Sequence, residues 1–99
     1  MSDTPKSTPI ARRCLVSGRV QGVNYRASAR RRALAANIHG HARNLPDGRV
    51  EVLAWGEPGA VEDFIAWLWI GPASARVTAV QVEELTPPDA FDPGGFITS

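Results

Sequence analysis

The segment from Arg13 to Arg26, RCLVSGRVQGVNYR, decides the fold because it joins a strand, a loop bounded by glycines and the start of a helix. Residues 13–17 form a short, partly alternating apolar run, which predicts a strand that ends at Gly18. Gly18 and Gly22 bound the loop that follows. From about Val23 to Asn37 the pattern is helical. The apolar positions expected on the buried face of this helix are Val23, Ala27, Ala33, Leu34 and Ile38.

Downstream of this unit, the sequence predicts a hairpin and a second helix. A strand at about 41–44, a Pro-Asp-Gly turn at 45–48 and an alternating strand at 49–55 together form the hairpin. Apolar residues at 61, 64, 65 and 68 have the i, i+3, i+4, i+7 spacing of an amphipathic helix, which should run to about Ile70. Gly71 and Pro72 are expected to end it.

The last part of the chain predicts a fourth strand over Arg76–Leu85, with an irregularity between Val77 and Val80. Residues 86–95 are rich in Pro, Gly and Asp and are expected to form a loop, and residues 96–99 a short edge strand. The order is β-α-β-β-α-β, which is an α+β, ferredoxin-like split β-α-β arrangement. We therefore expect an antiparallel sheet of four to five strands with two helices on one face. Residues 1–9 should be a flexible tail and residues 10–99 one domain.

Length and composition limit the functions that are open to the chain. It has 99 residues and a net charge of +1, a balance that does not favour binding to nucleic acid or to an anionic membrane. One cysteine, Cys14, excludes an internal disulfide and indicates a cytoplasmic setting. One Cys and two His are too few for a four-ligand zinc cage. We expect a cytoplasmic monomer that needs no metal or organic cofactor.

The glycine-bounded loop has the properties of an anion site. Glycines let main-chain N–H groups turn inward without obstruction by a Cβ atom, and the following helix directs its positive end to the same point. Arg26 lies about one turn into that helix, and its guanidinium fork matches two phosphate oxygens. The loop is not a Walker loop, because no Gly-Lys-Ser/Thr follows. The spacing by itself leaves a purely structural loop open.

The segment Gly18–Arg26 closely resembles the acylphosphatase signature, Gly-x-Val-Gln-Gly-Val-x-Phe/Tyr-Arg. Residues 40–51 resemble the second strand, turn and third strand of that family, and residues 67–77 give a weaker match. The resemblance implies that Arg26 binds phosphate and that Asn44 positions the attacking water. It also implies that a phosphate or sulfate ion can occupy a cradle of main-chain groups. The cradle residues are Gly18, Arg19, Val20, Gln21, Gly22, Val23 and Asn24.

The implied reaction is hydrolysis of an acyl phosphate to a carboxylate and inorganic phosphate, and the residues present agree with it. No His, Asp, Glu or Cys stands in the two motifs where acid–base or nucleophilic work would need it. A carboxylate leaving group has a conjugate acid with a pKa of about 4, so it departs without a proton. Positioning and charge stabilisation can then carry the catalysis.

Other functions remain open on the sequence. The same cradle occurs in the acylphosphatase-like domain of hydrogenase-maturation carbamoyltransferases, which handles carbamoyl phosphate. A ferredoxin-like module could also bind a small anion without turnover, or bind RNA, although the aromatic RNA-binding run is absent. The run Arg30-Arg31-Arg32 is expected to be a solvated face, and His39 and His41 should share a strand face without binding metal. Leu15, Leu53, Trp55, Trp69 and Ile70 are the apolar residues that could mediate self-association.

Overall fold

The computed structural model of the chain describes residues 8–87 and 95–99. Most of the expected tail and residues 88–94 of the expected loop lie outside the described residues. The elements in chain order are β1 (Ile10–Arg19), α1 (Tyr25–Ala35), β2 (His39–Asn44), β3 (Val50–Gly56), α2 (Pro58–Leu68), β4 (Arg76–Leu85) and β5 (Phe96–Thr98).

The strands form one sheet in the order β4-β1-β3-β2-β5. The first four strands pair antiparallel, as expected, and the ferredoxin-like prediction is confirmed. The short fifth strand pairs parallel with β2, so the complete sheet is mixed. The register of β1 against β4 shifts between Ser17 and Gly18, where Thr78 has no partner on β1. This is the irregularity that the sequence predicts between Val77 and Val80.

The buried face of α1 differs from the sequence expectation. The helix begins at Tyr25, not Val23, and buries Tyr25, Ser28, Ala29 and Ala33. Ala27 and Leu34 are exposed, so placing them on the buried face was wrong. Residues 25, 28, 29 and 33 share one side of the helix, and this side faces the core because Tyr25 is held there by its hydrogen bond to the distant Leu68 carbonyl.

Helix α2 follows the prediction more closely. The side chain of Glu57 caps it by accepting hydrogen bonds from the N–H groups of Gly59 and Ala60, each at 3.2 Å. Val61, Phe64 and Leu68 are buried. Beyond its end, Gly71 adopts a left-handed φ of 67° and donates its N–H to the Trp67 carbonyl at 2.8 Å. The Gly71 stop is therefore confirmed.

Both helices pack on one face of the sheet, and the other face carries polar interactions. Helix α1 contacts β2 and β5, while α2 contacts β1 and β3, and the core lies between helices and sheet. On the opposite face, Glu51 is 4% exposed and accepts hydrogen bonds from Arg13 at 2.6 Å and Arg43 at 2.7 Å. Desolvation alone would raise the pKa of Glu51, but these bonds from Arg13 and then Arg43 outweigh it and hold the pKa below 4.5.

The apolar residues considered for self-association have different exposures. Leu15, Leu53 and Trp55 lie on the sheet face opposite the helices and are half-buried. Trp69 and Ile70 at the end of α2 are 51% and 70% exposed. In residues 8–87 and 95–99, no helix combines the length and the apolar character needed to cross a membrane.

Candidate functional site

The loop after β1 has the backbone that its glycines predict. Gly18 has a φ of 123°, and a Cβ atom there would lie 2.1 Å from the Arg76 carbonyl oxygen, so only glycine fits against β4. The chain turns again at Gly22, with a φ of 75°, and at Asn24, with a φ of 66°. Asn tolerates this left-handed conformation better than most residues. The loop therefore leads directly into the first turn of α1.

The N-termini of the two helices differ in their capping. Asn24 makes no side-chain capping bond, and within Tyr25–Ala35 the first turn contains no acidic residue. The first N–H groups of a helix have no partner inside it and carry partial positive charge. Helix α2 differs, since Glu57 satisfies its first N–H groups. The open end of α1 thus supplies unfilled donors beside the glycine loop.

Two side chains hold this loop against the rest of the fold. Gln21 donates its Nε2 to the carbonyls of Leu45 at 2.8 Å and Arg49 at 2.9 Å. Ser74 donates its hydroxyl to the Val23 carbonyl at 2.6 Å. Leu45 directly follows Asn44, so Gln21 connects the loop to the strand that carries Asn44. From the sequence, Gln21 is expected to contribute only its main-chain groups, because nothing local shows where its side-chain amide points.

Arg26 and Asn44 approach the same strand end from two elements. Arg26 is half-buried on α1 and donates Nη1 to the Ser99 main-chain oxygen in a short hydrogen bond. Ser99 in turn donates its N–H to the Ala42 carbonyl at 3.1 Å, which places it along the outer edge of β2. Asn44, two residues further along β2, is exposed. The Arg26 guanidinium, which the sequence predicts to bind phosphate, therefore already donates a hydrogen bond to an oxygen atom.

Asp47 is the carboxyl group of the β2–β3 turn, to which Gln21 is hydrogen-bonded at Leu45 and Arg49. Hydrogen bonds from Arg49, first from its side chain and then from its main-chain N–H, hold the pKa of Asp47 below 3.8. The carboxyl group is therefore ionised at neutral pH and has no proton to donate. Burial raises the pKa of the Cys14 thiol to about 11, and Cys14 is fully buried in the core as expected. Burial also raises the pKa of the Tyr25 phenol, which donates to the Leu68 carbonyl at 2.6 Å.

The remaining polar residues that the sequence singles out lie elsewhere. Arg30, Arg31 and Arg32 are exposed, but each has a partner: the Phe96 carbonyl at 3.1 Å, the Ser28 hydroxyl at 3.2 Å and the Trp67 ring at 5.6 Å. Their description as a purely solvated face is therefore incomplete. His39 and His41 lie two apart on β2, opposite the helices. Among the described parts of the chain, no three His, Cys, Asp or Glu residues form a group that could hold a metal ion.

Fold and loop together define a class: α+β proteins of the ferredoxin-like type with a glycine-bounded loop at the first strand-to-helix junction. Comparison with known proteins narrows that class, since the acylphosphatase family model matches residues 12–97. The chain belongs to the acylphosphatase family, and it is a hydrolase of acyl phosphates.

Individual relatives agree with this membership. An acylphosphatase from Chromohalobacter salexigens is 54% identical over 87 residues, which cover 83% of this chain and 97% of that protein. The structure of an acylphosphatase from Coxiella burnetii superposes with a TM-score of 0.84 at 35% identity, covering 92% of this chain and 93% of that one. HypF from T. kodakarensis matches with a TM-score of 0.77 at 33% identity, but only 12% of that chain is covered.

Proposed function

We propose that the chain binds the phosphate of an acyl phosphate between the Arg26 guanidinium and the main-chain N–H groups of the Gly18–Asn24 loop. The observation that supports this most is the hydrogen bond from Arg26 to the Ser99 oxygen, beside the open first turn of α1. A guanidinium that donates to one oxygen atom can donate in the same way to a phosphate oxygen. Substrate phosphate replaces the Ser99 oxygen on Arg26.

Asn44 orients the attacking water. Its exposed side chain lies at the end of β2, next to the turn that Gln21 ties to the loop. An amide can accept one water proton in a hydrogen bond while it directs the lone pair of the water at phosphorus. Catalysis then comes from fixed geometry and from charge stabilisation around a loose transition state. Two elements, α1 and β2, hold the phosphate and the water separately.

The reaction proceeds without a general acid and without a metal ion. The bond that breaks joins phosphorus to a carboxylate oxygen, and the carboxylate leaves with the electron pair unprotonated at neutral pH. The attacking water loses its proton to a phosphate oxygen of the substrate or to solvent. Asp47 stays ionised beside Arg49, so it does not supply a proton to the leaving group.

Hydrolysis of benzoyl phosphate, followed in the presence of EDTA, tests this mechanism. We expect full activity with the chelator, about a thousandfold loss of kcat/KM for Arg26→Ala, and a large loss of kcat at nearly unchanged KM for Asn44→Ala. Arg30→Ala is the matched control, because Arg30 lies one turn further along α1 and donates to the Phe96 carbonyl, three residues before Ser99. Loss of activity in EDTA, or an equal effect of the Arg26 and Arg30 substitutions, would refute the mechanism.

We further propose that the protein works as a cytoplasmic monomer on small acyl phosphates, without nucleic acid or membrane as a partner. The free, fully buried Cys14 supports a reducing compartment. The net charge of +1 gives little electrostatic attraction to polyanions. Size-exclusion chromatography with light scattering tests the monomer, with elution as a dimer as the contrary result.

A further inference from the structure

The ladder between β1 and β4 carries arginine residues at both ends, but their partners differ. At the far end, Arg12 lies opposite Glu84 and Arg13 opposite Glu83, with nitrogen–oxygen distances of 4.0 Å and 3.2 Å. At the loop end, the last cross-strand pair is Arg19 with Arg76. The ladder thus places opposite charges together at one end and like charges together at the other.

A like-charged pair at directly opposite positions is unfavourable. Side chains of such a pair point to the same face of the sheet, with Cβ atoms about 5 Å apart, and their repulsion destabilises the ladder. Both Arg19 and Arg76 are exposed. Within residues 8–87 and 95–99, neither forms an ion pair or a side-chain hydrogen bond. The two guanidiniums are therefore a concentration of positive charge that the described residues leave uncompensated.

This pair adjoins the phosphate cradle. Arg19 is itself the second residue of the loop, and three peptide units separate it from Gly22, so the two Cα atoms are at most about 11 Å apart. Gly18, the neighbour of Arg19, packs directly on the Arg76 main chain. The main chain of this arginine pair therefore lies directly beside the cradle.

We propose that Arg19 and Arg76 form a second anion subsite, which receives a negatively charged group on the acyl part of the substrate. The substrate class is then acyl phosphates that carry a second anionic group, a carboxylate or a phosphate, away from the scissile anhydride. This inference rests on the proposed phosphate site, because the cradle fixes where the acyl part begins. The second anion offsets the repulsion within the pair, and substrates of this class bind more favourably than neutral ones.

A matched pair of substrates tests the subsite. 4-Carboxybenzoyl phosphate and 4-carbamoylbenzoyl phosphate have nearly the same size, but only the first carries the extra charge. We expect the wild type to favour the carboxylate by about fivefold in kcat/KM, the effect of one exposed charge pair, and the preference to weaken with added salt. In Arg76→Gln the ratio of the two kcat/KM values should fall to about one, and in Arg76→Glu below one.

Arg12→Gln is the charge-matched control, because it removes one arginine from the far end of the same ladder. It should keep both activities and the substrate preference. An equal loss of preference in Arg12→Gln and Arg76→Gln would show general charge steering and refute the subsite. An active wild type without any preference would refute the subsite alone, whereas a wild type that hydrolyses neither substrate would refute the proposed function as well.

The repulsion between Arg19 and Arg76 can also be measured through stability, without an activity assay. Arg76→Glu places a carboxylate opposite Arg19 and should raise the Tm, while Arg12→Glu, which places like charges opposite each other at Glu84, should lower it. A lower Tm for Arg76→Glu than for the wild type would contradict the repulsion on which the subsite depends.

Discussion

Substitution of Gln21 by Leu tests whether the loop must be tied to the strand that carries Asn44. The change removes the hydrogen bonds to the carbonyls of Leu45 and Arg49 but keeps a side chain of similar size. Both carbonyls keep another partner, since Leu45 accepts from the N–H of Gly48 and Arg49 accepts from the N–H of Leu45. Neither oxygen is left without a partner, so each lost bond should cost about 1 kcal/mol and the pair about 2 kcal/mol.

A loss of about 2 kcal/mol corresponds to a Tm lower by roughly 10 °C in a domain of this size. The effect on catalysis should be larger than stability alone explains, because a shift of about 1 Å between phosphate and water can cost about a hundredfold in rate. We therefore expect kcat for benzoyl phosphate to fall between about tenfold and a hundredfold at a temperature where the variant is fully folded. Thermal unfolding and initial rates measure the two effects separately.

Glu51→Gln is the control for stability, because it removes a buried carboxylate on the sheet face opposite the helices, away from the loop. It should lower the Tm by a comparable amount and leave kcat unchanged. If Gln21→Leu kept the wild-type kcat, the two hydrogen bonds of Gln21 would contribute only to stability, and their expected effect on catalysis would be refuted.

Three further predictions concern stability. The hydrogen bonds from Arg13 and Arg43 hold the folded-state pKa of Glu51 below 4.5, so its stabilisation is complete above that pH and is lost as the pH falls through the folded-state pKa. Urea unfolding should show the wild type losing its advantage over Glu51→Gln as the pH is lowered below 4.5, and a difference that stays constant would contradict this. Gly18→Ala forces a Cβ atom against the Arg76 carbonyl oxygen and should cost about 3 kcal/mol or more, whereas near-normal stability would show that the loop end can move. Tyr25→Phe removes the hydrogen bond to the Leu68 carbonyl and should cost about 1 to 2 kcal/mol in chemical denaturation, and an unchanged midpoint would show that this bond contributes nothing.

Much of the fold could be predicted because its signals are local. Alternation over residues 49–55 predicts a strand, and β3 occupies Val50–Gly56. The irregularity in β4 was predicted from its broken apolar pattern and is confirmed by the register shift opposite Ser17 and Gly18. The buried face of α1 was wrong in part, because Tyr25 and Ser28 are buried through contacts with distant residues such as Leu68 that hydropathy does not report.

The candidate site likewise contains residues that the sequence can identify and contacts that it cannot. Gly18, Gly22 and Arg26 follow from a compact motif, and Asn44 follows from the resemblance, so the sequence can point to all of them. Their catalytic roles stay predictions. The hydrogen bonds from Gln21 to Leu45 and from Arg26 to Ser99 could not be predicted. Each joins a side chain to a main-chain oxygen far away in the sequence, at a separation of 24 residues for Leu45 and 73 for Ser99. Such contacts depend on the folded arrangement of strands and carry no local pattern.

The most direct test of the phosphate site is chemical rescue of Arg26→Ala by guanidinium ion. The variant should lose about a thousandfold in kcat/KM for benzoyl phosphate, and millimolar guanidinium, below denaturing concentrations, should restore part of it by filling the vacated position. Ammonium at the same concentration should restore less, because it lacks the planar fork that pairs with two oxygens. An Arg26→Ala enzyme with activity within tenfold of the wild type, and no response to guanidinium, would contradict the proposed binding of phosphate by Arg26.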